Sequence, residues 1–159
     1  MKDSTELTGK KAPAFKARVI GGSYEQGATL SLADLKGQTV VLYFYPKDNT
    51  PGCTTQACAL RDGWSRIQKK AAVFGVSVDA LNSHAKFIKK YSLPFPLISD
   101  EAKDIVQAYG VWVEKSMYGK KYMGTERSTV IIGPDGKVKA VLRKVQPAEH
   151  LDLVLKALG

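Results

Sequence analysis

Tyr43-Phe-Tyr-Pro-Lys-Asp-Asn-Thr-Pro-Gly-Cys-Thr-Thr-Gln-Ala-Cys-Ala-Leu-Arg-Asp62 holds both cysteines of the chain, Cys53 and Cys58. An apolar run, Val40 to Tyr45, leads into it, and Pro46, Pro51 and Gly52 break that run. Nearly continuous apolar character reads as a strand covered on both faces. The polar segment that follows reads as a helix, with Thr50 as its N-cap and Pro51 at the first helical position. Cys53 then sits in the first turn. The first N–H groups of a helix lack intrahelical partners and carry partial positive charge, so a thiolate there is stabilised over a thiol. A buried, inert cysteine is the plainer alternative. Cys53 follows Pro-Gly in a polar loop rather than an apolar run, which favours the reactive reading.

Working outward, Met1 to Lys11 reads as a loose leader, Ala14 to Ile20 as a short strand and Gly21-Gly22 as a turn. Ser31 can cap a helical turn through Leu35, stopped by Gly37. The helix after Cys53 is expected to run to about Lys70 with Leu60, Trp64 and Ile67 on one face. Gly63 would lie inside it at a cost of about 1 kcal/mol against Ala, and its presence suggests that this helix melts easily. Ala72 to Val78 reads as the next buried strand, Leu81 to Tyr91 as a helix, Leu97 to Ser99 as a short strand and Glu101 to Tyr109 as a helix. Val111 to Thr125 reads as a strand followed by a loop. Gly133-Pro-Asp-Gly136 joins two strands, Ser128 to Ile132 and Lys137 to Arg143, as a hairpin. A last helix starts at Gln146. Alternating strands and helices closed by an antiparallel hairpin predict an α/β, thioredoxin-like sandwich: a mixed central β-sheet flanked by helices. A single domain is expected to cover residues 1–159.

The 159 residues are 44% apolar, enough for a sizeable core. No apolar run approaches the roughly 18 residues of a membrane span, and Met1 to Lys11 lacks the apolar centre of a secretory signal. The chain is therefore expected to be cytoplasmic and to engage no membrane. The formal charge is +9, which would suit nucleic acid. The lysines are dispersed, however, as in Lys69-Lys70, Lys89-Lys90 and Lys120-Lys121, so a solvated surface is favoured and no nucleic-acid partner is expected. Two cysteines are too few for a disulfide scaffold, and Cys-x4-Cys without a second ligand pair is a weak metal signal. The two cysteines are also too few for a zinc site unless His84 or His150 and a carboxylate join them.

Five residues apart on one regular helix, the two Cα atoms would lie about 8 to 9 Å apart. A disulfide needs roughly 4.4 to 6.8 Å. Either the pair never bonds, or the first turns of the helix unwind. A thiolate also wants a cationic neighbour. His84 and His150 lie far along the chain on predicted helices, which gives little support to a Cys/His pair. Arg127, at the start of Arg-Ser-Thr-Val-Ile-Ile, is better placed, since a fixed guanidinium can hold both a thiolate and a polar oxygen. A salt bridge from Arg127 to Glu126 or to a helix acid is equally compatible with the sequence.

Pro46-Lys-Asp-Asn-Thr50-Pro-Gly-Cys53 matches the pattern Pro-x-x-x-Thr-x-x-Cys, and the chain resembles the peroxiredoxins. Cys58 is similar to the resolving cysteine of the bacterioferritin comigratory protein or PrxQ subgroup. The likeness continues through Gly110-Val-Trp-Val-Glu-Lys-Ser-Met-Tyr-Gly-Lys120 and Arg127-Ser-Thr, and spans roughly residues 8 to 158. Gln56, where many relatives carry Glu, and Ile132-Gly133, in place of a frequent Ile-Asp, depart from the pattern outside the signature. The resemblance implies a thiol peroxidase that reduces hydrogen peroxide and organic hydroperoxides, with no metal, haem, flavin or other cofactor expected. Cys53 would be the peroxidatic nucleophile and Cys58 the resolving thiol, giving an intramolecular disulfide reduced by a thioredoxin-like partner. Thr50 would hydrogen-bond the peroxide or thiolate, Pro46 would shield the sulfur, and Arg127 would hold the thiolate and polarise the peroxide. An intramolecular disulfide needs no partner subunit, so a monomer is expected. Two other readings compete. A disulfide oxidoreductase on the same fold usually needs Cys-x-x-Cys, which is absent. A basic nucleic-acid module needs clustered cations with exposed aromatics.

Overall fold

The computed structural model describes residues 4–159, with the side chains of residues 25–27 outside the description. Nine strands and five α-helices follow in the order β1 (Lys16–Gly21), β2 (Tyr24–Ser31), β3 (Val40–Phe44), α1 (Pro51–Asp62), α2 (Trp64–Ile67), β4 (Ala72–Ser77), α3 (Leu81–Tyr91), β5 (Leu97–Ser99), α4 (Asp104–Ala108), β6 (Trp112–Met117), β7 (Lys120–Thr125), β8 (Ser128–Ile132), β9 (Val138–Leu142) and α5 (His150–Leu158). Seven strands form one mixed sheet in the order β2-β1-β5-β4-β3-β8-β9. Strand β3 runs parallel to β4 and antiparallel to β8, so the strand that leads into the cysteines lies between two covered neighbours. The expected mixed, thioredoxin-like sandwich is the fold observed.

The side-chain period of two splits β3 between two cores. Val40, Leu42 and Phe44 pack with Phe74, Val76, Ile98, Val130, Ile132 and Tyr109 on one face. Val41, Tyr43 and Tyr45 pack with Leu60, Ile67, Phe87, Ile131 and Val154 on the other. Helices α1, α2, α3 and α5 thus cover one face and α4 the opposite one. All five β3 residues are buried, and each full burial of such a side chain contributes about 1.5–3 kcal/mol. The end of β3, where the sequence turns polar, is fixed by both layers.

Several local expectations change. Residues 4–11 of the supposed leader are tied to the domain. Ser4–Leu7 forms a 3₁₀ turn with Ser4 buried, Gly9 donates to the Val138 carbonyl and Lys11 bridges Lys137. Met1 to Asp3 lie outside the described residues. A full strand, β2, pairs antiparallel with β1 after the Gly21-Gly22 turn. Only Leu32–Leu35 is helical there, and the Ser31 N–H is capped by Asp34 at 3.0 Å. The stretch read as strand and loop is a two-stranded hairpin of its own, β6 with β7. Its turn, Tyr118-Gly119, has φ of +52° and +78° at its two positions, which is what a tight right-twisting hairpin requires. The helix expected through Lys70 stops at Asp62 and restarts at Trp64. Gly63 is there for contact: a Cβ at this position would collide with Leu151 Cδ2 of α5. Its role is to let α5 approach, not to loosen a continuous helix.

Candidate active site

Pro51 and Gly52 open α1 and Cys53 is its third residue. The first amide to make a helical bond is Thr54, to the Thr50 carbonyl at 2.8 Å. The Gly52 and Cys53 N–H groups precede it, and their partial positive charge faces the start of the helix. Thr50 occupies the cap position with extended dihedrals but makes no side-chain cap. Its hydroxyl instead donates to the Lys47 carbonyl at 2.8 Å, closing the loop on itself. Pro46 and Thr50 are both half-buried on this loop.

Arg127 precedes β8, which runs antiparallel to β3, so its first residue, Ser128, pairs with Phe44 at the end of β3 that leads into α1. Its Nη2 donates to Cys53 Sγ at 3.4 Å and its Nη1 to Gln56 Oε1 at 2.6 Å. The alternative salt bridge does not form. Glu126 turns to Arg143, whose Nε and Nη2 donate to its two oxygens at 3.0 Å, and accepts from Ser128 at 2.9 Å. Burial opposes ionisation of Glu126, but those bonds together hold its carboxyl below the usual value. Gly52 makes room for the guanidinium, since a Cβ there would lie 3.1 Å from Arg127 Nη2. Arg127 is therefore held by an amide rather than a carboxylate, and its charge is left for the sulfur.

Cys53 is 2% exposed and Cys58 half-buried, and both thiols are free. Both lie within the one uninterrupted helix Pro51–Asp62, so the spacing derived above separates them. The floor of the site is uncharged. Burial, then the charge of Asp48, raises the Tyr43 phenol well above its ordinary value. Burial, then Arg127, lowers His150 to about 3. His150 Nε2 meets Thr129 Oγ1 at 2.7 Å, and His84 Nδ1 meets Asp48 Oδ2 at 2.7 Å. Each histidine thus has a partner other than a cysteine. Beside Arg127 an open cavity of about 510 Å³ is lined by Lys115, Glu126, Arg127, Arg143 and Lys144. Burial, and after it the Arg127 charge, holds the Lys115 ammonium below its ordinary value. The cavity wall also carries Glu114, and its link to Cys53 is Arg127, which faces it and donates to the sulfur.

Sequence reasoning passed over two contributors. Gln56 was visible only as a departure from a pattern, yet it is fully buried and is the acceptor that aims Arg127. Lys115 reaches the site from β6, in the stretch read as a strand followed by a loop, and no local signal placed that strand beside Arg127.

Residues 8–141 match the model of the AhpC/TSA family. The Bacillus subtilis protein named Peroxiredoxin Bcp is 42% identical over 151 residues, covering 94% of this chain and 93% of the relative. A solved structure of Xanthomonas campestris Peroxiredoxin Q superposes with a TM-score of 0.83 at 40% identity, covering 91% of this chain and 89% of that one. Another, of Xanthomonas campestris bacterioferritin comigratory protein and concerned with alkyl peroxide reduction, gives 0.82 at 39% identity with the same coverage.

Proposed function

The chain belongs to the AhpC/TSA family, among its Bcp and PrxQ peroxiredoxins, and as a thiol peroxidase it needs a nucleophile, which we propose is Cys53. The observation that carries this assignment is Arg127 Nη2 at 3.4 Å from the Cys53 sulfur at the start of α1. The Cys53 thiolate attacks one peroxide oxygen. An S–O bond forms, the O–O bond breaks, and the leaving oxygen takes up a proton and departs as water or an alcohol. The sulfur, oxidised by two electrons, is left as a sulfenic acid. Arg127 and the first amides of α1 stabilise the charge that builds on the departing oxygen. The Thr50 hydroxyl can turn from Lys47 to the peroxide, and Pro46 limits water at the sulfur. Hydrogen peroxide and organic hydroperoxides are the substrates, in keeping with the alkyl peroxide activity of the Xanthomonas relative.

Cys58 then attacks the Cys53 sulfur. An S–S bond forms, the S–O bond breaks and water leaves. With both residues on α1, the start of the helix must unwind for this step. A thioredoxin-type dithiol reduces the disulfide by exchange and restores both thiols. No partner subunit is needed to resolve the sulfenic acid, which supports one domain acting as a monomer. Among the described residues no helix is long and apolar enough to cross a membrane. With a thioredoxin-type donor required, we place the enzyme in the cytoplasm.

Peroxide turnover coupled to thioredoxin and its reductase tests the assignment. Cys53→Ser is expected to abolish peroxide attack. Cys58→Ser is expected to allow one attack and then stop. Full turnover by Cys53→Ser would overturn the mechanism.

A further inference from the structure

The loop between β3 and α1 carries Pro46 and Thr50, yet it belongs to neither element. Lys47 and Asn49 are exposed on it, whereas Asp48 between them is buried. A carboxylate is buried only where its oxygens are satisfied. Asp48 Oδ1 accepts from the Tyr45 hydroxyl at 2.5 Å, Oδ2 accepts from Ser83 Oγ at 2.8 Å, and Oδ2 meets His84 Nδ1 at 2.7 Å. Its backbone N–H donates to Asp79 Oδ2 at 2.9 Å, and that oxygen also accepts from Ser77 Oγ at 2.6 Å.

His84, on α3, is fully buried. Its Nε2 lies 2.9 Å from the Ile98 carbonyl. A carbonyl only accepts, so Nε2 carries a proton, and the short Nδ1–Oδ2 contact holds another between imidazole and carboxylate. Asp48, Asp79 and His84 offer ligand atoms within 4.8 Å of one another, but those of Asp48 and His84 already satisfy each other directly. Asn49 follows with φ of +58°, and its Oδ1 accepts from the Tyr91 hydroxyl at 3.0 Å and Lys90 Nζ at 3.2 Å, both at the far end of α3. Two consecutive loop residues are therefore fastened to α3, and none of these bonds involves α1.

We propose that the Asp48–His84 contact is a latch that seats the catalytic loop on α3, making His84 a positioning residue for peroxide attack at Cys53. The latch keeps Thr50 in place at the head of α1 and leaves Thr50–Pro51 as the hinge when the helix start unwinds. This rests on the assignment of Cys53 as nucleophile.

Two near-isosteric variants separate the latch from mere burial. In His84→Asn the amide nitrogen takes the place of Nδ1 and can still donate to Asp48. In His84→Gln it takes the place of Nε2 and keeps only the Ile98 bond. Both lose the same ring. With hydrogen peroxide as probe, His84→Gln is expected to attack about tenfold more slowly, and His84→Asn within about threefold of wild type. Disulfide formation from the sulfenic acid should not slow in either. Equal attack rates in the two variants, or a wild-type rate in His84→Gln, would overturn the latch. So would a proportional slowing of both steps. Amide exchange of residues 48–50 reads the latch without chemistry. It should be about tenfold faster in His84→Gln than in His84→Asn, and equal exchange counts against the proposal. Cys53→Ser in the same assay reports on the nucleophile alone, so failure of that assignment is seen separately. If a histidine variant does not fold, Ser83→Ala removes one donor to Asp48 from the half-buried rim. It is expected to slow attack about threefold while leaving resolution unchanged, and an unchanged attack rate contradicts the latch.

Discussion

The two halves of α1 are held by different kinds of contact. Residues 51–57 pack through Cys53 and Ala57, and their polar ties to the rest of the fold run through the site itself, from Arg127 to Cys53 and to Gln56. Residues 58–62 are fastened by packing and by the frame around them. Leu60 is fully buried, Leu151 of α5 closes on Gly63, and Arg61 Nη1 donates to the Tyr91 carbonyl of α3 at 2.8 Å. Oxidation of Cys53 alters the first set directly, because a sulfenic acid is a poorer partner for a guanidinium than a thiolate is. It leaves the second set untouched. The Cys53–Cys58 disulfide proposed above would need the first half of the helix to release and the second to stay.

Either half of α1 can be weakened separately. Arg127→Ala removes the cation from the sulfur and the tie to Gln56. Peroxide attack is expected to fall about a hundredfold, read by rapid-mixing kinetics with hydrogen peroxide. The second half depends on α5, which begins at His150. His150 is held neutral, with its pKa lowered from 6.5 to about 3. The folded state therefore binds fewer protons than the unfolded one between those values, and stability is complete above pH 6.5 and falls as the pH drops towards 3. The slope from this residue is at most about 1.4 kcal/mol per pH unit. Denaturant melts across that range should be flatter in His150→Gln than in wild type. Gly63→Ala forces a Cβ against Leu151 and should cost about 1–3 kcal/mol in thermal or denaturant unfolding. Gln56→Glu sharpens the first half. A carboxylate would draw the guanidinium away from the sulfur, slowing attack by about twofold to fivefold, and would grip Arg127 harder, slowing disulfide formation.

Much of this was legible in the chain. The run Val40 to Tyr45 announced a strand buried on both faces, and Thr50-Pro51-Gly52-Cys53 announced a helix start with a thiol in its first turn. Gly133-Pro-Asp-Gly136 announced the closing hairpin, whose turn is closed by a Gly136 to Gly133 backbone bond of 2.9 Å. These are local signals, and local chemistry determines them. What escaped was determined at a distance. β2 is a strand because β1 pairs with it, although its own sequence has weak alternation and an internal Gly27. Gly63 looked like a helix defect because Leu151 lies far along the chain. Arg127 could have paired with Glu126, and only the fold shows that Arg143 takes that carboxylate. Nothing local marks Asp48 as buried; Ser83 and His84, which partner its carboxylate, come from α3.

If oxidation joins Cys53 to Cys58 by releasing only the start of α1, the release must be local. The direct measurement is amide exchange read by mass spectrometry before and after one equivalent of hydrogen peroxide, with peptide mapping of the disulfide. The expected result is a Cys53–Cys58 disulfide within the same chain, with protection lost over residues 51–57 and retained over β3, α3 and residues 59–67. A disulfide between chains, no disulfide at all, or protection lost through Ile67 would contradict it.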